Sequence, residues 1–397
     1  MRVLVTGGAG FVGSHVVDAL AVTGHDVRVV DALHPAAHDR PPGYLRPEVD
    51  YRWGDLADPS VAAAAVAGVD AVSHQAGMVG LGVDFGDAPA YVANNDLATA
   101  VLLSALHGAR FRGPLVIASS MVVYGEGRYR CERDGPVRPL PRKPADLDAG
   151  RFEPRCPQCG SGLRPGAVAE DSPPDPRNVY AATKLHQEHL GFAFGREHGM
   201  PVVALRYHNV YGPRLPRDTP YAGVAGIFRS ALAAGRRPRV FEDGGQLRDF
   251  VHVGDVARAN VLALCSPIGG VFNIASGTPR SVLDMATALA AGLGSDAPQP
   301  QVVGGYRLGD VRHVFASSAR ARARLGFEAS VPFDAGMAEL ATAPLRSSAC
   351  TWSRTPSRSQ DTGLPTFGVE PPKSPTPRGT TGPSPSKPVT GSSATNG

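Results

Sequence analysis

The opening fifteen residues constrain the fold more than any other stretch of the chain. A β-branched run, Val3-Leu-Val, gives way to Thr6-Gly-Gly-Ala-Gly-Phe-Val-Gly-Ser-His, with glycine at 7, 10 and 13 and with Val16, Val17 and Leu20 following at helical core spacing. A strand, a glycine turn and a helix in immediate succession let backbone pass close to a ligand, and the helix presents unpaired N–H groups and its positive dipole end to an anion. Eighteen residues after Gly13, Asp31 ends the next β-branched run, Val27-Arg-Val-Val. An acidic residue there accepts hydrogen bonds from adenosine ribose hydroxyls and repels a 2′-phosphate, so the expected ligand is NAD rather than NADP. Asp55 and Leu56, after a third strand, suit contact with the adenine.

The alternation continues to about residue 125, through Val69-Asp-Ala-Val and Leu115-Val-Ile-Ala, with helical stretches between. Strands alternating with helices predict an α/β fold, a Rossmann-type doubly wound parallel sheet with right-handed crossovers. Residues 126–175, rich in Pro, Arg and Gly, are too long and irregular for an ordinary connection and read as an insertion. Regular signals resume with a helix around Tyr180, the strand Val202-Val-Ala-Leu-Arg, a helix over 225–235, the strands Phe250-Val-His-Val and Val271-Phe-Asn-Ile, a helix over 281–293 and a last helical pattern ending near 341. One domain over 1–345 is expected, its substrate-binding part mainly over 206–345. From 346 to 397 the chain is Ser/Thr/Pro/Gly-rich without periodicity, which predicts a disordered tail.

A net charge of +4 raises the question of nucleic acid. From residue 347 on, five Arg and Lys face two acids, so three of the four net charges belong to the tail. The folded part carries no basic excess of the kind a nucleic-acid binder needs. No apolar run reaches the ~18 residues of a membrane span, and no charged segment with a cleavage site precedes the first strand. A cytoplasmic protein without membrane or nucleic-acid partners is therefore expected. Five cysteines, an odd number scattered over the chain, argue against a disulfide framework.

Lys143 and Lys184 are the only lysines among the first 340 residues, and Lys184 follows Tyr180 by four. On a helix the two side chains share a face. An ammonium beside a phenol favours the phenolate and can bring a group that ordinarily titrates near pH ~10 toward use as a general acid/base. A bare Tyr-x-x-x-Lys is also what an amphipathic surface helix displays, so other features have to decide.

Those features are Thr6-Gly-Gly-Ala-Gly-Phe-Val-Gly, Asp55-Leu56, His74-Gln-Ala-Gly, Ser119-Ser-Met-Val-Val-Tyr-Gly, Tyr180-Ala-Ala-Thr-Lys, Leu205-Arg-Tyr-His-Asn-Val-Tyr-Gly-Pro and Arg248-Asp-Phe-Val-His-Val, in that order. Together, over residues 1–340, they resemble an extended short-chain dehydrogenase/reductase of the NAD-dependent nucleotide-sugar epimerase/dehydratase family, and most of all its dTDP-L-rhamnose 4-epimerase-like members, which share Gly-Val-Asp around residue 82 and a cysteine-bearing insert. The resemblance implies that Ser120, Tyr180 and Lys184 are catalytic. Gly7, Gly10, Phe11, Val12, Gly13, Asp31, Asp55, Leu56, Gln75, Ala76, Gly77, Asn95, Tyr180 and Lys184 would then bind NAD, and Lys184 would hold the nicotinamide ribose while lowering the Tyr180 pKa. Ser120, Asn209, Arg248 and Arg307 would bind a nucleotide-sugar substrate, with arginine forks on the diphosphate. Family analogy also implies a homodimer.

Dehydratases of the family carry an Asp-Glu pair directly after the catalytic hydroxyl residue; here Met121 and Val122 stand there. The expected activity is therefore C4 epimerisation of a nucleotide-activated sugar, of the dTDP-6-deoxy class, through a 4-keto intermediate. A 4-ketoreductase using the same residues, and a non-catalytic dinucleotide sensor, are the alternatives. Within the insert, Cys156-Pro-Gln-Cys159 is a knuckle that commonly supplies half a zinc site, with Cys131 upstream and Asp134 at the spacing of a fourth ligand. A structural zinc on Cys131, Asp134, Cys156 and Cys159 and a degenerate metal-free loop are both compatible with this spacing.

Overall fold

The computed structural model describes residues 1–344 apart from 36, 39, 81–83, 217–222 and 308, so the tail and the Gly-Val-Asp stretch expected to be informative lie wholly or partly outside the described residues. The N-terminal half runs β1 (Arg2–Thr6), α1 (Phe11–Val22), β2 (Asp26–Asp31), β3 (Asp50–Trp53), α2 (Pro59–Val66), β4 (Ala71–His74), α3 (Ala88–Tyr91), a π-helical turn (Val92–Leu97), α4 (Ala98–Gly108) and β5 (Leu115–Ser120). The insert follows with β6 (Arg128–Cys131), β7 (Gly135–Val137), α5 (Pro144–Asp148) and β8 (Arg164–Gly166). Then come α6 (Val179–His198), β9 (Val202–Tyr207), β10 (Asn209–Tyr211), α7 (Val224–Ala233), β11 (Arg239–Val240), β12 (Leu247–His252), α8 (Val253–Leu264), β13 (Gly270–Ile274), β14 (Pro279–Ser281), α9 (Val282–Ala291), β15 (Gln301–Val302), α10 (Ala319–Leu325) and α11 (Phe333–Thr342).

Seven strands form one parallel sheet in the order β13-β9-β5-β4-β1-β2-β3. Strand order reverses between β1 and β4, and in open α/β sheets ligands bind at the carboxyl ends of strands beside such a switch point. The central strands are buried on both faces, which is why Val3-Leu-Val, Leu115-Val-Ile-Ala and Val202-Val-Ala-Leu read as apolar runs. One face packs Val3, Val5, Val29 and Leu205 with Val16, Val17, Leu20 and Val256, and the other packs Leu4, Val72 and Ile117 with Ala65, Leu102, Leu106 and Phe194. A third core, around Phe228, Phe250, Met285, Leu289 and Met337, belongs to the C-terminal half.

The glycine turn is shaped by contact rather than by freedom alone. Gly7 has φ +67, and a Cβ there would meet the Ala76 backbone at 2.8 Å; one at Gly13 would stand 2.1 Å from the Gly7 carbonyl oxygen. Methyl groups at either position would force the turn, the β4 end and α1 apart.

One element matches the sequence expectations and one departs from them. β3, the third strand expected ahead of Asp55, is present as a short edge strand of half-exposed residues, Asp-Tyr-Arg-Trp. The insert is not irregular: it is a three-stranded antiparallel sheet, β7-β6-β8, over its own small core. No helix among the described residues is long and apolar enough to cross a membrane.

Candidate active site

Two elements deliver the chemistry-bearing side chains to the carboxyl end of the sheet. β5 ends in Ser120, which is buried and whose Oγ accepts a hydrogen bond from Val122 N at 3.4 Å. α6 starts directly after Asn178, whose side chain accepts from Ala181 N at 2.8 Å, so Tyr180 lies in the first turn, where the positive helix end favours a phenolate. Lys184 follows one turn later, almost fully buried, and donates from Nζ to the Ala118 carbonyl at 2.9 Å.

α6 is aimed by charges within the core. Arg206 on β9 pairs with Glu188 on α6 through Nε–Oε1 and Nη2–Oε2 contacts of 2.8 Å each, Ser119 donates to the same carboxylate, and the guanidinium sits 4.8 Å from the Tyr124 ring centroid. A second buried chain links Thr6, His74, Thr99 and Gln187 at 2.7–2.8 Å. Burial, with the Lys184 charge adding, pushes the His74 imidazole down to about 3, so it stays neutral and joins β1, β4 and α6 through hydrogen bonds alone. Glu188, Arg206, Asn178 and Gln187 were not singled out from the sequence. A lone arginine closing the apolar run Val202-Val-Ala-Leu was the available signal, because a charge on a central strand has to be paired.

Electrostatics at Tyr180 run against the expectation that Lys184 lowers its pKa. Burial pushes the phenol up to about 12, and the hydrogen bond with Ser120 is the group that opposes it. Lys184 is itself pushed down to about 8 by burial, against the pull of the Asp96 and Glu188 carboxylates. Its ammonium is directed instead toward Gly77 and Asn95, since a Cβ placed on Gly77 would stand 3.1 Å from Lys184 Nζ and 3.0 Å from Asn95 Oδ1.

The residues around the glycine turn fit NAD. α1 has Gly10 as N-cap with no side-chain cap, so the amides of its first turn, including Phe11 and Val12, carry no side-chain partner of this kind. Asp31 closes β2 and accepts from Ala9 N at 3.0 Å and Leu33 N at 2.8 Å, which fixes its carboxylate beside the turn. Asp55 accepts from Ala57 N at 2.9 Å, Leu56 is buried in the core, and Ala76 lies against Gly7. Asn95 is fully buried in the π-helical turn, accepting from Met78 N at 2.7 Å and donating to Thr183 Oγ1 at 2.9 Å. The Gln75 side chain is committed elsewhere: it donates to Ser73 and Asn260 and accepts from Tyr207, and its backbone N–H donates to the Thr6 carbonyl at 3.1 Å.

On the substrate side, Asn209 opens β10 and its buried Oδ1 has no protein partner. Arg248 donates to the carbonyls of Leu247, Val311 and Arg312 at 2.7–2.9 Å, and Arg307 is exposed with its guanidinium 5.5 Å from the Phe241 ring centroid. Both arginines act on the carboxylate of Asp310, which burial pushes up. Asp249, beside Arg248, accepts from Ser276 and Gly277 and so fixes the loop after β13. In the insert the ligand atoms of Cys131, Asp134, Cys156 and Cys159 all lie within 4.8 Å of one another.

The sequence pattern of the NAD dependent epimerase/dehydratase family matches residues 3–144 and 154–275. A dTDP-L-rhamnose 4-epimerase from Burkholderia thailandensis is 34% identical over 349 residues, covering 86% of this chain and 94% of that protein. The crystal structure of a UDP-glucose 4-epimerase from Thermotoga maritima with UDP-glucose superposes with a TM-score of 0.71 at 28% identity, covering 86% of this chain and 97% of that one. That of a Thermus thermophilus UDP-glucose 4-epimerase in complex with NAD gives a TM-score of 0.68 at 30% identity, with 86% and 98% covered.

Proposed function

The chain belongs to the NAD dependent epimerase/dehydratase family, and on that premise we propose that it inverts C4 of a nucleotide-activated sugar, a dTDP-linked 6-deoxyhexose, through a transient 4-keto sugar. The observation that carries this reading is the meeting of Ser120 and Tyr180, with Met121 and Val122 where dehydratases of the family carry an acid pair.

Tyr180 takes the proton of the C4 hydroxyl and later returns it, and Ser120 hydrogen-bonds the same oxygen as it passes between alcohol and ketone. NAD, when bound, would supply the acceptor for the C4 hydride and its return, so no external reductant would be consumed. The amides at the start of α1 hold its pyrophosphate and Asp31 its adenosine ribose; Asn95 and Lys184 hold the nicotinamide side. Asn209, Arg248 and Arg307 hold the substrate diphosphate, which anchors the sugar while the 4-keto ring turns its other face. With apolar side chains after Ser120, water elimination lacks its acid and base. The dTDP-6-deoxy assignment rests on the similarity to the Burkholderia protein. A cytoplasmic homodimer is part of the same reading, and exposed Phe85, Val92 and Leu97 supply apolar surface for pairing.

The experiment is incubation of the purified protein with dTDP-, UDP- and GDP-sugars without added reductant, read by proton NMR. Conversion of a dTDP-6-deoxyhexose to its C4 epimer, with NAD released on denaturation, is the expected result. Absolute dependence on added NAD(P)H would assign a 4-ketoreductase instead.

A further inference from the structure

We propose that Cys131, Asp134, Cys156 and Cys159 form a tetrahedral site for one Zn2+ that fastens the insert against the substrate-binding half. The ligands come from the end of β6, the β6–β7 turn and the Cys156-Pro-Gln-Cys159 knuckle. Asp134 Oδ2 is 3.2 Å from Cys131 Sγ and 3.1 Å from Cys156 Sγ, and Cys131 Sγ is 3.5 Å from Cys159 Sγ. A tetrahedron built with ordinary zinc–thiolate and zinc–carboxylate bonds has edges of about 3.6–3.8 Å. An ion therefore enters if these three edges open by a few tenths of an ångström, the four ligand atoms already lying within 4.8 Å of one another.

The local backbone is made for thiolates. Gly160 N donates to the Cys156 carbonyl at 2.9 Å and Cys156 N to the Ser161 carbonyl at 2.8 Å, which closes the knuckle and turns the amides of Gln158 and Cys159 toward the Cys156 sulfur. Zinc binding would release the three thiol protons and leave a site of net charge −2, beside the exposed arginines Arg130, Arg133 and Arg155.

An independent argument comes from packing. The insert's core consists of four buried residues, Tyr129, Cys131, Cys156 and Leu163, with Val137 and Cys159 packed against them. Half of those buried residues are cysteines, and all three cysteines are free. So small a core does not hold a three-stranded sheet unaided, and small folds of this kind rely on a staple.

The insert then reaches the other half through named contacts. Tyr129 accepts from His313 N at 3.2 Å, Arg142 pairs with Glu242 at 2.8 Å and donates to the Asp310 carbonyl at 2.6 Å, and Glu153 pairs with Arg312 at 2.7 Å and His313 at 2.9 Å. Asp310 is the residue on which Arg248 and Arg307 converge, so loosening the insert disturbs the proposed diphosphate contacts. That last link rests on the reading of Arg248 and Arg307 given above; the metal site does not.

The test is metal analysis of the full chain purified under reducing conditions without chelator. Zinc at about one per chain is expected, falling below ~0.2 in Cys156→Ser and in Cys159→Ser. Asp134→Cys should retain zinc against a chelator that strips the native protein, and cobalt(II) added to stripped native protein should give thiolate-to-metal charge-transfer absorption, a readout that needs no variant to fold. Absence of zinc together with absence of that absorption overturns the site, as does a Cys131–Cys159 disulfide found by mass spectrometry in protein kept reduced. For the fastening role, stripped protein should show a KM for nucleotide sugar raised several-fold with kcat nearly kept; the opposite split overturns that role. Zinc stoichiometry is read without turnover, so failure of the epimerase reading leaves the metal result standing.

Discussion

Lys184 donates from Nζ to the carbonyl of Ala118 over 2.9 Å, tying the helix that carries Tyr180 to the strand that ends in Ser120. The hydrogen bond holds an ammonium in the interior at a cost, because burial lowers the Lys184 pKa from 10.5 to about 8. The fold therefore favours the neutral amine. Below pH 8 the whole penalty is present; it fades as pH rises toward 10.5 and vanishes above.

Lys184→Met should accordingly stabilise the cofactor-free protein at pH 7 by on the order of 2 kcal/mol, the relieved desolvation outweighing one lost hydrogen bond to Ala118. The gain should shrink between pH 8 and 10.5, and NAD affinity should fall sharply. Denaturant melts across that pH range check the first part and cofactor titration the second. A variant less stable than the native protein at pH 7 would refute the argument.

Tyr180→Phe should lose kcat by about 10²–10⁴-fold, the usual contribution of a positioned acid/base, while binding of NAD and nucleotide sugar stays within a few-fold. Single-turnover kinetics and binding titrations separate the two.

Ser120→Ala removes the hydrogen bond that opposes burial at Tyr180, so the phenol pKa should rise further above about 12 in the cofactor-free protein. Because the reaction needs the phenolate, the acid limb of the kcat/KM profile should shift toward alkaline pH. An unmoved limb with reduced kcat would mean that Ser120 acts on the substrate oxygen alone.

Glu188→Ala leaves the buried guanidinium of Arg206 without its carboxylate and should destabilise the protein by about 3–5 kcal/mol. Glu188→Gln, which keeps the shape and one acceptor, should lose less. Thermal denaturation of both variants tests the order.

Much of the dinucleotide half was legible in the sequence because its elements are punctuated: Val3-Leu-Val-Thr6 leads straight into Gly7, Asp31 closes the next run, and Val16, Val17 and Leu20 mark the buried stripe of α1. The Tyr180–Lys184 spacing gave the site its centre, and the motif order turned a weak pair into a specific one. Side chains that change partners on folding were not legible. Gln75 sits in a cofactor motif yet spends its side chain on Ser73, Asn260 and Tyr207, and Lys184 faces Gly77 and Asn95 while burial moves the Tyr180 pKa upward. Direction and desolvation depend on packing between segments far apart in the chain, and spacing alone does not encode them. The insert reads as irregular in sequence because its strands are only three or four residues long and rich in Pro and Gly.

The Glu188–Arg206 pair has a consequence for specificity. It orients α6 from inside the sheet, away from the loops at the strand ends that meet the sugar in the proposed reading. On that reading, exchanging those loops would change which sugar is accepted and leave the placement of Tyr180 and Lys184 to the interior ion pair.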